Sequence, residues 1–254
     1  MINKLVWGLY FEEFSDIINT NGYVESIRFY TFINFHRLSI THAKKLGYEC
    51  ILYIPFHLHK YFLDLGITLK IPPDVGNTFF DYIKNYILSV EDGDYFIIDG
   101  DLILNNRLPN LIADLIYEKK ESQSWDLFYK NEVENLTKLG IGDIIPEWTG
   151  KKRFDVINIG LVHTKDVEFK NIWIDRWNRV KNFVESNIKE KQTRYTPIAA
   201  QYMLTELVDY YGLNVKEFET TAPKNTYTHY MGDKKLTAYF IPTDRILTFN
   251  QTLI

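Results

Sequence analysis

Cysteine is almost absent: Cys50 is the only one in 254 residues, which excludes an intrachain disulfide and fits a reducing compartment. Set in Tyr48-Glu-Cys-Ile-Leu-Tyr-Ile54, it reads as a small apolar core residue rather than a reactive thiol. No apolar run approaches the length of a membrane span, so no integral membrane segment is expected. The start, Met1-Ile-Asn-Lys-Leu-Val-Trp7, lacks the basic, apolar and small regions of a secretory signal, and a cytoplasmic location is expected. Net charge is −4 with no basic stripe, which leaves a nucleic-acid partner without support. Neither an internal repeat nor a low-complexity segment breaks the chain.

What is present is an ordinary globular balance. Hydrophobic residues make up 46% and charged ones 24%, enough apolar material for one large domain or two small ones. Aromatics are plentiful, with 18 Tyr and 17 Phe; such side chains serve as core and, less often, as sugar-stacking platforms.

Alternating patterns fix the class. Residues 4–11 read as a first strand, 28–46 as a helix stopped by Gly47, and 48–54 as a second strand broken by Pro55. A short helix over 56–65, a strand over 67–71 and a helix over 77–90 follow, leading to a strand at 95–98. Further on, the pattern predicts a helix over 109–118, a strand over 124–129 and a loop over 138–153. A strand over 155–163, helices over 166–188 and 197–211, and a short strand over 215–218 complete it. Strands alternating with helices make an α/β protein with a mostly parallel sheet.

The strand at 95–98 runs into Asp99-Gly100-Asp101, followed by the apolar Leu102-Ile-Leu104. Two carboxylates wedged between core segments are costly unless paired. A divalent cation at the carboxyl end of the strand answers that cost; a tight turn that happens to carry two Asp is the plain alternative. In Asp155-Val-Ile-Asn-Ile-Gly-Leu-Val-His163, Asn158 and Gly160 interrupt an apolar strand. A glycine there marks close approach of a ligand or a bulge, and Asn158 needs a partner, either a sugar hydroxyl or backbone. In Thr228-His-Tyr-Met-Gly-Asp-Lys-Lys235, His229 offers a metal-ligating imidazole and Lys235 a point charge for phosphate; a solvated loop is the alternative.

In this order the three segments resemble those of GT-A-fold, nucleotide-sugar-dependent glycosyltransferases, in particular glycosyltransferase family 8, the glycogenin-like group. Asp99-Gly-Asp101 stands as D-x-D, Asn158-Ile-Gly160 as N-x-G, and His229 to Lys235 as H-x-x-G-x-x-K. The resemblance implies a GT-A fold, Rossmann-like, with a mixed, mostly parallel central sheet flanked by helices. It implies a single domain over 1–254, with a nucleotide-binding half (1–105) and an acceptor-side half with a closing segment (106–254). Asp99, Asp101 and His229 would bind Mn²⁺ or Mg²⁺. Gly160, Gly232 and Lys235 would join Asp99, Asp101 and Asn158 around a nucleotide-diphosphate sugar, a UDP-sugar by preference. Asn158 and Gln201 would act on the donor sugar. The implied activity is that of a hexosyltransferase acting with retention on a glycan, lipid-linked or protein acceptor. The segment 228–235 would be mobile until it closes over the donor.

Two departures stand out. The acid that often precedes the glutamine in family 8 is replaced by Ala200, and the Pro-Trp that often follows the final lysine is replaced by Leu236-Thr237. A non-catalytic GT-A-like sugar-nucleotide-binding protein is therefore one alternative. A haloacid-dehalogenase-type phosphatase, which also follows a strand with D-x-D, is another; Ile103 stands where that family usually has Thr or Val. An EF-hand is excluded, because neither count from Asp94 nor from Asp99 puts glycine at the sixth position.

Overall fold

A computed structural model describes residues 2–9, 23–73, 82–121, 125, 129–190 and 192–230, and for 23–30 the backbone alone. Strand β1 (Lys4–Gly8) lies in the middle of one arm of a seven-stranded sheet, parallel to β2 (Glu49–Tyr53) on one side and to β4 (Tyr95–Ile98) on the other. Strand β3 (Thr68–Lys70) extends that arm, again parallel. Beyond β4 the sheet continues with β7 (Val156–Thr164), antiparallel to β4 and to β6 (Leu115–Glu121), and ends on β8 (Val215–Glu217), parallel to β6. The order is β3-β2-β1-β4-β7-β6-β8. The expected class is what the structure has: α/β, with a mixed, mostly parallel central sheet flanked by helices.

Alternation along the central strands explains their unbroken apolar runs. Val6, Ile51 and Ile97 face one core, while Leu5, Trp7, Leu52, Phe96 and Ile98 face the other. A strand covered on both sides is built mainly of apolar residues. Helix α1 (Tyr23–Lys45) covers the second face and ends where Gly47 takes φ +82°. Helix α2 (Tyr82–Val90) covers the first face, beside α4 (Val167–Asn187). Asp166 caps α4 by accepting from the Phe169 amide at 2.9 Å. Its Trp173 and Trp177 stack in the core with centroids 5.8 Å apart. Truncating either fully buried ring would cost about 3–5 kcal/mol. Between β6 and β7 lies α3 (Lys130–Lys138); α5 (Met203–Tyr211) follows a π-helical turn, Ile198–Tyr202, and stops where Gly212 takes φ +61°. The short α6 (Phe218–Thr221) follows β8. No helix among the described residues is long and apolar enough to cross a membrane.

Several boundaries shift. The first helix begins at Tyr23 rather than residue 28, and 56–65 is two 3-10 turns, Phe56–Tyr61 and Leu63–Leu65. One assignment is overturned. Residues 109–118 are not a helix: Leu115-Ile-Tyr-Glu-Lys-Lys-Glu121 is β6, bonded on both sides, by β7 and β8. Two ladders outweigh the local helical pattern, since strand preference is set by burial and neighbours. The strand expected at 124–129 lies mostly outside the described residues.

Candidate metal and donor site

The backbone sets the site. After β4, the Asp99 amide still donates to the Gly160 carbonyl at 2.7 Å, and Leu102 donates back to the Asp99 carbonyl at 3.1 Å, closing a turn over Gly100-Asp101. The next residues leave the main sheet as β5 (Leu102–Leu104), pairing antiparallel with β9 (Tyr227–His229) and putting Leu102 opposite His229. The Tyr230 amide donates to the Asp101 carbonyl at 3.0 Å. A two-stranded ladder thus fastens His229 beside the Asp-Gly-Asp turn. Residues 228–230 are strand and strand end rather than a free loop; Gly232 and Lys235 lie outside the described residues.

One ligand atom from each of Asp99, Asp101 and His229 lies within 4.8 Å of the others. His229 Nε2 is 3.3 Å from Asp101 Oδ1, and its Nδ1 is 2.8 Å from Glu118 Oε1. Burial opposes charge on the ring, but hydrogen bonds to Asp101 and Glu118, with the charges of both, outweigh it and push the His229 pKa up to about 10. Two carboxylates and one imidazole form an oxygen-rich set with a borderline nitrogen, which fits Mn²⁺ or Mg²⁺.

The glycines of both motifs supply room, not unusual backbone angles; neither has positive φ. A Cβ at Gly100 would stand 2.1–2.2 Å from the ring of His36, which packs down from α1. A Cβ at Gly160 would stand 2.2 Å from Glu118 Oε2, 2.7 Å from His229 Cε1 and 3.0 Å from Asn158 Oδ1. Gly160 therefore lets three side chains meet. A bulge in the β6–β7 ladder, where Tyr117 faces Val162 but Lys119 faces Asn158, brings Glu118 to this spot.

Asn158 finds its partners in the protein: its Oδ1 accepts from the Gly160 amide at 2.7 Å, and its Nδ2 donates to Glu121 Oε1 at 2.6 Å. The bulge and the backbone bond are thus both present. Tyr129 Oη lies 3.1 Å from Glu121 Oε2 and 2.5 Å from the Gln201 amide oxygen. One hydroxyl has one proton, so turning the Gln201 amide to donate satisfies both contacts. The two expected catalytic residues, Asn158 and Gln201, stand at opposite ends of one polar chain.

Five contributors went unseen in the sequence. Lys84 of α2 sets its buried Nζ 2.6 Å from Asp99 Oδ1 and 3.2 Å from the Ile159 carbonyl. Its signal was a lysine four residues before Leu88, inside an apolar helix face. Glu118 and Glu121 were hidden in a segment assigned partly to a helix. His36 and Tyr129 carried no distinguishing pattern.

No family model matches the chain, and no curated protein matches it. Among solved structures, the glycosyltransferase GlyE of Streptococcus pneumoniae TIGR4 aligns at 12% identity and a TM-score of 0.46, over 99% of this chain and 63% of GlyE. This chain thus spans under two thirds of that protein. The galactosyltransferase LgtC, solved with donor and acceptor sugar analogs, aligns at 12% identity and TM-score 0.46, over 90% of this chain and 87% of LgtC. The CTP:phosphocholine cytidylyltransferase LicC of Streptococcus pneumoniae aligns at 12% identity and TM-score 0.45, over 93% and 96%. At these TM-scores the likeness is one of outline and assigns nothing by itself.

Proposed function

We propose that this chain is a metal-dependent glycosyltransferase that moves a sugar from a nucleotide-diphosphate donor, a UDP-sugar, to a hydroxyl of a glycan, lipid-linked or protein acceptor, with retention. The observation that carries the reading is the meeting of Asp99, Asp101 and His229 at the carboxyl end of β4, with Lys84 and Asn158-Ile-Gly160 against them. In open α/β sheets that end of the strands is where ligands lie.

Asp99, Asp101 and His229 would hold Mn²⁺ or Mg²⁺, which when bound offsets the negative charge that grows on a departing diphosphate. Lys84 keeps Asp99 in place and adds fixed positive charge beside it. Glu121 and Tyr129 orient Asn158 and Gln201 toward the donor sugar. Gly232 and Lys235 would meet the diphosphate. In this reading the chain works as one domain, with 1–105 receiving the nucleotide and 106–254 the acceptor.

A second reading, donor binding without turnover, is favoured by one observation: Ala200, fully buried, stands where the resemblance implies an acid. A panel of nucleotide sugars with Mn²⁺ separates the two. Release of nucleoside diphosphate from one donor, lost in EDTA and in Asp101→Asn, is the expected result. Saturable donor binding with no release favours the second reading, and no binding of any donor sinks both.

A further inference from the structure

We propose that Glu118 is a positioning residue of the candidate metal site: it accepts the Nδ1 proton of His229 and so turns Nε2 toward Asp99 and Asp101. The inference rests on the metal reading above and adds a residue that none of the three sequence segments contains.

Glu118 is fully buried in the middle of β6, where the preceding Leu115, Ile116 and Tyr117 are core residues. A carboxylate in that setting is costly unless a charged or donating partner meets it. Its ion pair among the described residues is with His229, at 2.8 Å from Nδ1. A carboxylate only accepts, so Nδ1 keeps its hydrogen toward Glu118, and Nε2, the nitrogen beside Asp101, is the one that would give up its proton to a metal.

Three separate features build this contact. The bulge in the β6–β7 ladder turns Glu118 toward β9. Gly160 leaves the space the carboxylate occupies, since a Cβ there would stand 2.2 Å from Oε2. The β5–β9 ladder holds His229 at fixed register opposite Leu102, so the ring cannot slide away from its partner. A carboxylate set behind a metal-binding imidazole fixes its tautomer and orientation and raises its basicity.

Mn²⁺ binding to the intact chain, measured by titration calorimetry, tests the idea with Glu118→Gln. Glutamine keeps the shape and one accepting oxygen but loses the charge. The dissociation constant is expected to rise about 10-fold or more, with the thermal unfolding midpoint recorded to show that the variant is folded. A constant within twofold of wild type overturns the proposal. Wild-type nitrogen-15 NMR of the His229 ring with Mg²⁺ needs no variant: a hydrogen on Nδ1 and none on Nε2 is expected. The reverse tautomer overturns the role of Glu118 even if metal binds. Failure of the wild type to bind either ion instead removes the metal reading, and this inference with it.

Discussion

Lys84 Nζ and Asp99 Oδ1 lie 2.6 Å apart, a buried ammonium held against the first carboxylate of the candidate metal site. The contact makes opposite predictions for binding and turnover. Lys84→Met removes a positive charge from beside the ligands, so Mn²⁺ should bind several-fold more tightly. Turnover should fall by about 10²-fold, because a fixed charge that favours the departing diphosphate is gone. Calorimetry and donor hydrolysis on the same preparation check both. A loss of metal affinity in Lys84→Met would mean that the lysine only shapes the Asp99 loop.

His36 and Gly100 form a tight fit whose energetics a double-mutant cycle can read. A methyl at residue 100 would drive into the imidazole, so Gly100→Ala should cost about 1–3 kcal/mol of stability. It should also weaken Mn²⁺ binding by displacing Asp99 and Asp101. His36→Ala alone leaves a gap, whereas the double variant recovers the space. The two changes should therefore couple by about 0.5–3 kcal/mol, the double variant being more stable than the sum of the singles predicts. Additive behaviour in urea unfolding would show that the ring moves aside freely.

How much of this could be seen in the sequence follows from what each residue touches. Strands β1, β2, β4 and β7 were legible because a strand covered on both faces is mainly apolar, even where Asn158 and Gly160 interrupt β7. Asp99, Asp101 and His229 were legible through the short patterns around them. Glu118-Lys-Lys-Glu121 was not, since four charged residues in a row read as a solvated surface. Only the meeting of β6 with β7, β8 and β9 buries Glu118, and no local pattern records that meeting. Lys84 was obscured for a related reason: helical spacing marks which face is buried, not that one buried position meets a carboxylate from another element.

Away from the site, Glu91 gives a pH dependence of stability. It is 3% exposed, and Lys70, Tyr53 and Lys4 all donate to it, Tyr53 Oη at 2.5 Å and Lys4 Nζ at 3.1 Å. Burial alone would raise its pKa, but the bonds from Lys70, Tyr53 and Lys4 prevail and hold it below the ordinary 4.5. The folded state therefore takes up this proton less readily than the unfolded chain. The stabilisation is complete above pH 4.5 and is lost as pH falls through the folded value. Glu91→Gln should be less stable than wild type by roughly 1–3 kcal/mol at neutral pH, with the gap narrowing as pH drops toward 3. Urea unfolding at both pH values decides it, and a gap that does not narrow would rule out the linkage.

Tyr129 offers the cleanest test of whether the polar chain from Asn158 to Gln201 serves catalysis. Its hydroxyl links Glu121 and Gln201, while its ring is core, packed near Tyr202 with centroids 6.5 Å apart. Tyr129→Phe deletes the link and keeps the packing, so the unfolding free energy should drop by only about 1 kcal/mol. The Gln201 side chain, set in a π-helical turn whose neighbours Ala199, Ala200 and Tyr202 are fully buried, would lose the contact that fixes its orientation. Misplacing one positioned group lowers the rate of the chemical step more than it weakens binding. The expected outcome is a kcat about 10-fold lower, with the KM for the donor changed less than threefold. Gln201→Ala should lower kcat by at least as much, and adding Tyr129→Phe to it should change little further, because both remove the same restraint. Independent, multiplying losses would place the two residues in separate roles.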